Sequence, residues 1–181
     1  DPETSLMRQT IILRDAIARA NRATHQTSQN QPQCEGMGTT IVACLFYDNR
    51  VSIAHVGDSR LYRYRKNRFE QLTMDHSLLQ ELVDRGFYSQ EEAARSTNRN
   101  YVTRALGVEA TVLVEVQELE VQPEDIYLLC SDGLHGYLEE SELPKLFEQI
   151  PEDELVDRLI ALANERGGKD NITAVVVKIP G

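Results

Sequence analysis

The sequence contains no tryptophan, few aromatic residues and no long apolar run. Only 6% of its 181 residues are aromatic, and 41% are hydrophobic. No apolar stretch approaches the roughly 18 to 20 residues that a membrane-spanning helix needs, and the polar, acidic first residues do not resemble a signal peptide. We therefore expect a soluble, cytoplasmic protein with no membrane partner. Its length predicts a single domain over residues 1–181, because such a chain can build one core.

Basic residues and cysteines are also scarce. Lysine and arginine number 19 against 29 acidic residues, which gives a net charge of -10. Because nucleic-acid binding depends on cations that neutralise phosphates, this balance argues against a nucleic-acid partner. Cys34, Cys44 and Cys130 fit no zinc-binding spacing, and none is expected to act as a reactive thiol. For His76 and His135, which lie near candidate loops, we expect structural hydrogen bonding.

The first half of the chain predicts one helix followed by paired strands. Apolar residues at Leu6, Leu13, Ile17 and Ala20 recur at the spacing of one helical face, so residues 3–26 should form an amphipathic helix. Residues 27–35 are polar and predict a loop. Four β-branched and aromatic runs follow, joined by polar turns, at residues 40–46, 51–56, 61–65 and 68–72. Their local turns predict a four-stranded meander.

The second half mixes helical and strand patterns. Residues 73–104 differ from the runs around them and predict a separate excursion, with a helix around Leu78 that ends at Gly86 and a capping-box pattern from Ser89 to Glu92. Strands are then predicted at 101–105, 111–119, 126–131 and 172–179, with helices at 141–149 and 152–166. Strands and helices in clusters, and not in regular alternation, predict the α+β class.

Three loops each carry one aspartate beside glycine or a small polar residue. They contain Asp58, Asp132 and Asp170, and each lies where a strand is predicted to begin or end. Carboxylates on separate loops can converge on one hard cation such as Mg²⁺, Mn²⁺ or Ca²⁺. Each loop alone is better explained by ordinary turn chemistry, in which the carboxylate bonds to nearby backbone. A structural Ca²⁺ site is the weakest alternative, since no EF-hand loop is present.

Taken together, the motifs resemble a known family. Five of them occur in order: Gly57-Asp58-Ser59-Arg60, Thr73-Met74-Asp75-His76-Ser77, Thr103-Arg104-Ala105-Leu106-Gly107, Ser131-Asp132-Gly133-Leu134 and Lys169-Asp170-Asn171-Ile172-Thr173. With Gly36-Met37-Gly38-Thr39-Thr40 before the first hairpin, the chain resembles the metal-dependent protein serine/threonine phosphatases of the PP2C type, in their compact bacterial form. The resemblance extends over about residues 5–178.

The resemblance implies a sandwich of two antiparallel β-sheets flanked by helices. It also implies hydrolysis of phosphoserine and phosphothreonine in proteins by a metal-activated water. The expected cofactors are two catalytic Mn²⁺ or Mg²⁺ ions and a third, weaker ion. The expected partners are phosphorylated protein substrates and a cognate serine/threonine kinase, as in a signalling system.

Carried over residue by residue, the resemblance assigns metal ligands but no further catalytic side chain. Asp132 and Asp170 correspond to ligands of one ion of the catalytic pair. Asp58, with Asp132, corresponds to a ligand of the third ion. We assign Asp75 a supporting structural role and Arg60 a surface or packing role, with pairing to an acid near the site as the alternative for Arg60. Residues 73–104 correspond to the family's flap, which influences substrate access.

The sequence departs from the family pattern at its front. Family members carry a phosphate-binding arginine, an early acidic ligand and an Asp-Gly-Met-Gly-Gly-His-like motif there, and none of these occurs in this sequence. Three interpretations stay open: a phosphatase fragment, a natural non-catalytic relative, or one half of a split assembly. We expect the 181 residues alone to be weakly active or inactive. The alternative function is a pseudophosphatase or phosphoprotein-binding regulatory module.

Overall fold

The computed structural model describes residues 6–89, 92–93 and 101–181. By contacts the chain separates into two compact units. The first comprises Asp1–Asp58 and Asp75–Glu120, and the second Ser59–Met74 and Val121–Gly181. That the chain forms a single domain stays a prediction. No helix among the described residues is long and apolar enough to cross a membrane.

The strands and helices have the following bounds. The strands are β1 Ile41–Tyr47, β2 Arg50–Val56, β3 Arg60–Arg65, β4 Arg68–Gln71, β5 Glu115–Glu120, β6 Ile126–Cys130 and β7 Ala174–Lys178. The helices are α1 Arg8–Asn30, α2 Leu78–Asp84, α3 Asp132–His135, α4 Leu143–Gln149 and α5 Glu152–Glu165.

The first unit is built on an antiparallel sheet of order β1-β2-β5. Its hairpin is the predicted one, with Tyr47 opposite Arg50 and a two-residue turn at Asp48 and Asn49. Both turn residues have positive φ, 42° and 58°, as a type I′ turn requires. The central strand β2 is buried almost throughout, because it has a neighbour on either side.

Helix α1 confirms the predicted helix, and two residues of its predicted apolar face, Leu13 and Ile17, pack in the core of the unit. Three polar residues, Thr10, Asn21 and Ser28, are also buried, and the helix ends later than predicted. The Thr10 hydroxyl lies 2.6 Å from the Ser52 hydroxyl, and Asn21 Oδ1 accepts a 2.8 Å hydrogen bond from Gly107 N. The polar residues predicted as a loop continue the helix to Asn30, and a short 3₁₀ turn at Pro32–Cys34 follows.

The flap-like region 73–104 contains the predicted helix, α2, which begins after the Ser77 cap and ends before Gly86. The capping box is confirmed, since Ser89 N donates to Glu92 Oε2 (2.8 Å) and Glu92 N donates to Ser89 Oγ (3.2 Å). The strand predicted at 101–105 is wrong. Only isolated bridges form there, between Val102 and Ser77 and between Leu106 and Thr39. Residues 90–91 and 94–100 lie outside the described residues.

The second unit contains an antiparallel sheet of order β4-β3-β6-β7. Helices α3, α4 and α5 add apolar side chains to its core, which includes Tyr62, Leu128, Leu143 and Leu159. The β3–β4 hairpin turns at Lys66-Asn67 as predicted, again with positive φ at both residues.

The predicted meander is wrong, because β2 and β3 belong to different sheets. Strand β2 pairs with β5 and β3 pairs with β6, so the Gly57-Asp58 loop ends one sheet and does not form a hairpin. The predicted fold class is confirmed. The chain is α+β, with two antiparallel sheets and flanking helices.

Candidate functional site

Asp132 lies directly after a buried strand of the second unit. Strand β6 ends at Cys130, and Ser131 is the cap of the short helix α3, in whose first turn Asp132 sits. One carboxylate oxygen of Asp132, Oδ1, accepts a 2.9 Å hydrogen bond from Gly133 N. Because a carboxylate offers about four lone-pair positions, this bond orients the side chain and leaves acceptor capacity for a cation.

Asp170 lies in the loop between α5 and β7 of the same unit. The loop opens with Gly167 and Gly168, both at positive φ, and Lys169 N donates a 3.2 Å hydrogen bond to the Tyr137 hydroxyl. Asp170 Oδ1 accepts a 2.7 Å hydrogen bond from Asn171 N. Its carboxylate therefore has the same local arrangement as that of Asp132, with one oxygen bound to the following main-chain N–H.

Ser131 connects these two loops through hydrogen bonds. Its hydroxyl donates to Asn171 O (3.1 Å) and accepts from Thr173 N (3.1 Å), while Ser131 N donates to Thr173 O (3.1 Å). The loops are so close that a Cβ added at Gly133 would lie 2.2 Å from Asn171 O. The structure therefore brings together the loops of Asp132 and Asp170.

The donor set suits a hard divalent cation. Both side chains are carboxylates, which Mg²⁺ and Mn²⁺ prefer. Within the described part of their unit, neither forms an ion pair with a lysine or arginine. The residues present thus fit a metal, and their assignment as ligands stays a prediction.

Asp58 belongs to the first unit and is buried, with 7% of its surface exposed. It follows Gly57, whose φ of 110° favours glycine and where a Cβ would lie 2.4 Å from the Thr40 side chain. His76 binds Gly57 through two hydrogen bonds: His76 N donates to Gly57 O (3.0 Å), and Gly57 N donates to His76 Nδ1 (3.0 Å). The backbone before Asp58 is therefore held on several sides.

His76 is also the centre of a polar cluster that the sequence did not predict. Its ring stacks on His55, with centroids 4.6 Å apart and planes at 17°. Its Nε2 lies 3.0 Å from Glu115 Oε2 and 3.0 Å from Arg104 Nη1. Three potential metal ligands meet in this cluster: within the described part of the chain, His55, His76 and Glu115 each place a potential ligand atom within 4.8 Å of the other two.

Electrostatics keep His76 neutral near pH 7. Burial lowers its pKa below the ordinary 6.5, and the positive charge of Arg104 adds to this, although the hydrogen bond to Glu115 works in the opposite direction. The expectation of a hydrogen-bonding role for His76 agrees with these contacts. Glu115 received no role from the sequence, because only the β2–β5 register places it opposite His55. Arg104 belongs to one of the five motifs but received no role of its own.

The other candidate residues lie in structural contacts. Arg60 Nη1 donates to the Tyr62 hydroxyl (2.8 Å) and pairs with Glu140 at 3.2 Å, in line with its assigned packing role. Asp75 is half-buried beside His76, and its supporting role stays a prediction.

Comparison with known sequences gives one consistent result. A family model described as Protein phosphatase 2C matches residues 2–82. The serine/threonine phosphatase stp of Listeria welshimeri is 40% identical over 167 residues, which cover 92% of this chain and 66% of the relative. The serine/threonine protein phosphatase PstP of Mycobacterium tuberculosis is 41% identical over 170 residues, covering 91% and 32%. The chain thus spans just under two thirds of the length of the Listeria relative.

Solved structures show the same similarity. Serine/threonine phosphatase Stp1 from Staphylococcus aureus matches with a TM-score of 0.91 and 32% identity, covering 97% of this chain and 70% of that one. The Mycobacterium tuberculosis phosphatase PstP/Ppp matches with a TM-score of 0.86 and 40% identity, covering 92% and 71%. The catalytic domain of PstP in complex with two manganese ions matches with a TM-score of 0.79 and 38% identity, covering 92% and 70%.

Proposed function

This chain belongs to the protein phosphatase 2C family, and we propose that it serves the metal-dependent hydrolysis of phosphoserine and phosphothreonine in proteins. The relatives named as serine/threonine phosphatases support the substrate class. The observation that carries the proposal is the contact between the Asp132 and Asp170 loops, fastened by Ser131.

In this proposal Asp132 and Asp170 hold one divalent ion of the catalytic pair, and Asp58 holds a weaker, outer ion. When bound, such ions supply Lewis acidity and a water that is deprotonated near neutral pH. Ser131 holds the Asp132 and Asp170 loops at a fixed separation. The main-chain N–H groups of Gly133 and Asn171 orient the two carboxylates before the metal arrives.

The related structure with two manganese ions makes Mn²⁺ the first candidate, with Mg²⁺ as the alternative. We extend the proposal to phosphorylated protein substrates in the cytoplasm, within a signalling system that includes a cognate serine/threonine kinase. Its support is the resemblance of the ordered motifs to bacterial phosphatases.

The test is a charge-matched pair of variants in the full-length protein. Asp132→Asn removes a proposed ligand, whereas Asp157→Asn removes an exposed carboxylate on α5. Mn²⁺ binding is measured by titration calorimetry, and hydrolysis is measured with p-nitrophenyl phosphate and a phosphothreonine peptide. We expect Asp132→Asn to lower Mn²⁺ affinity and to abolish turnover, and Asp157→Asn to behave like the wild type.

Two results would contradict the proposal. Turnover that resists EDTA would remove the metal from the reaction, and equal Mn²⁺ affinity in both variants would remove Asp132 from the metal site. Phosphopeptide binding without any turnover, in the presence of Mn²⁺ or Mg²⁺, would favour the non-catalytic binding module.

A further inference from the structure

His76 makes an unusual double contact with the residue before Asp58. Its main-chain N–H donates to Gly57 O, and its ring nitrogen Nδ1 accepts from Gly57 N. His76 and Gly57 are both buried, so the Gly57 N–H has little access to water as a substitute partner. A buried N–H without a partner is costly, and the Nδ1 contact therefore fixes where the Gly57 peptide can lie.

This contact determines which ring nitrogen of His76 carries the hydrogen. A backbone N–H can only donate, so Nδ1 must accept and cannot itself be protonated. In the neutral ring the hydrogen is then on Nε2, from which it can be donated to Glu115 Oε2 at 3.0 Å. Arg104 Nη1 also lies 3.0 Å from Nε2. Because a guanidinium can only donate, it cannot accept the hydrogen of a protonated Nε2, and it contributes positive charge there instead.

The same hydrogen placement argues against a metal on His76. A metal at Nε2 would have to displace the hydrogen and lie beside the Arg104 guanidinium. Transferring the hydrogen to Nδ1 would in turn break the bond to Gly57. The trio of His55, His76 and Glu115 is therefore better explained as a device that orients the His76 ring, with His55 stacked on its face and Glu115 at its edge.

We infer that His76, oriented by Glu115, is the positioning residue that holds Asp58 for metal binding. The inference rests on the proposed function, in which Asp58 is a ligand of the outer ion. Gly57 links His76 to Asp58, because its main chain is hydrogen-bonded to His76 at both N and O and is joined covalently to Asp58. Groups that orient metal ligands from outside typically change metal affinity about 10- to 100-fold when removed.

The experiment compares two amides at position 76 in the full-length protein. His76→Asn keeps an acceptor oxygen close to the place of Nδ1, whereas His76→Gln places its amide close to Nε2 and loses that acceptor. Mn²⁺ binding by titration calorimetry should be about 10- to 100-fold weaker in His76→Gln for the ion that Asp58→Asn removes. In His76→Asn it should stay within a few-fold of the wild type.

A second measurement reports on the hydrogen bond directly. Hydrogen exchange of the Gly57 amide should be slow in the wild type and in His76→Asn, and faster in His76→Gln. Nitrogen NMR of the wild-type His76 ring should show hydrogen on Nε2. Hydrogen on Nδ1 would overturn the inference even if a variant failed to fold.

The binding results separate the inference from the proposed function. Unchanged Mn²⁺ binding in Asp58→Asn would mean that the proposed role of Asp58 fails. If Asp58→Asn loses the ion but His76→Gln keeps it, the positioning role fails while the proposed function stands. Equal losses in His76→Asn and His76→Gln would show that an acceptor at the place of Nδ1 does not hold Asp58, and would overturn the inference as well.

Discussion

Replacing Gly133 with alanine should push apart the two loops that carry Asp132 and Asp170. The added Cβ would lie 2.2 Å from Asn171 O and 2.9 Å from Asn171 C. Gly133 is not among the glycines with positive φ, so alanine suits its backbone and the effect is purely steric. An ordinary contact begins near 3.4 Å, so one loop must move by about 1 Å.

The size of the effect follows from this displacement. Overpacking of this kind typically costs about 1 to 3 kcal/mol of stability, partly offset by the better helix propensity of alanine, about 1 kcal/mol. A misplacement of about 1 Å at a reacting centre can cost about 10²-fold in rate. We therefore expect Gly133→Ala to keep its fold, to bind Mn²⁺ more weakly and to lose about two orders of magnitude in kcat/KM.

A second core substitution separates this effect from simple destabilisation. Ile126 is buried at the other end of β6, and Ile126→Ala should cost about 2 to 5 kcal/mol without touching either loop. Urea unfolding gives both stabilities, and calorimetry with p-nitrophenyl phosphate kinetics gives metal binding and turnover. If Gly133→Ala bound Mn²⁺ as tightly as Ile126→Ala does, the contact between the loops would not determine the geometry of the proposed metal site.

Local signals in the sequence predicted the hairpins but not the division into sheets. Both residues of the Asp48-Asn49 and Lys66-Asn67 turns have positive φ. Asp and Asn tolerate that conformation, so residue type indicates these two turns. The partners of β2 and β3 are instead β5 and β6, more than 50 positions away in sequence. Such pairings depend on long-range packing, and local turn chemistry carries no information about them.

The candidate site shows the same limit. Asp132 and Asp170 were identified from their motifs, and the structure brings their loops together through Ser131, whose two bonds reach about 40 residues along the chain. Glu115 was missed because it lies in an unremarkable strand, and only the sheet register places it opposite His55. Periodicity identified Leu13 and Ile17 on the buried face of α1, but it missed Thr10 and Asn21, which are buried because they find polar partners.

The remaining predictions concern buried groups. Arg65→Met should lower the free energy of unfolding by about 3 kcal/mol, because it leaves the fully buried Asp125 without its cation. Arg63 pairs with Glu70, which is 41% exposed, so Arg63→Met should lower the free energy of unfolding by less than about 1 kcal/mol. Equal losses in Arg65→Met and Arg63→Met on urea unfolding would refute this. Burial raises the pKa of the Cys44 thiol to about 12, so mass spectrometry should find it unmodified by iodoacetamide at pH 8 until urea unfolds the protein. Labelling in the folded state would count against that. The pKa of Asp125 is held below the ordinary 3.8. Burial alone would raise it, but hydrogen bonds from Arg65 and from the main chain outweigh that effect. The resulting stabilisation is therefore complete above about pH 4 and is lost as the pH falls through the lower, folded-state pKa. Urea unfolding between about pH 5 and 2 should show a steeper loss of stability in the wild type than in Asp125→Asn, which cannot titrate there, and parallel curves would show that the pair contributes nothing to acid sensitivity.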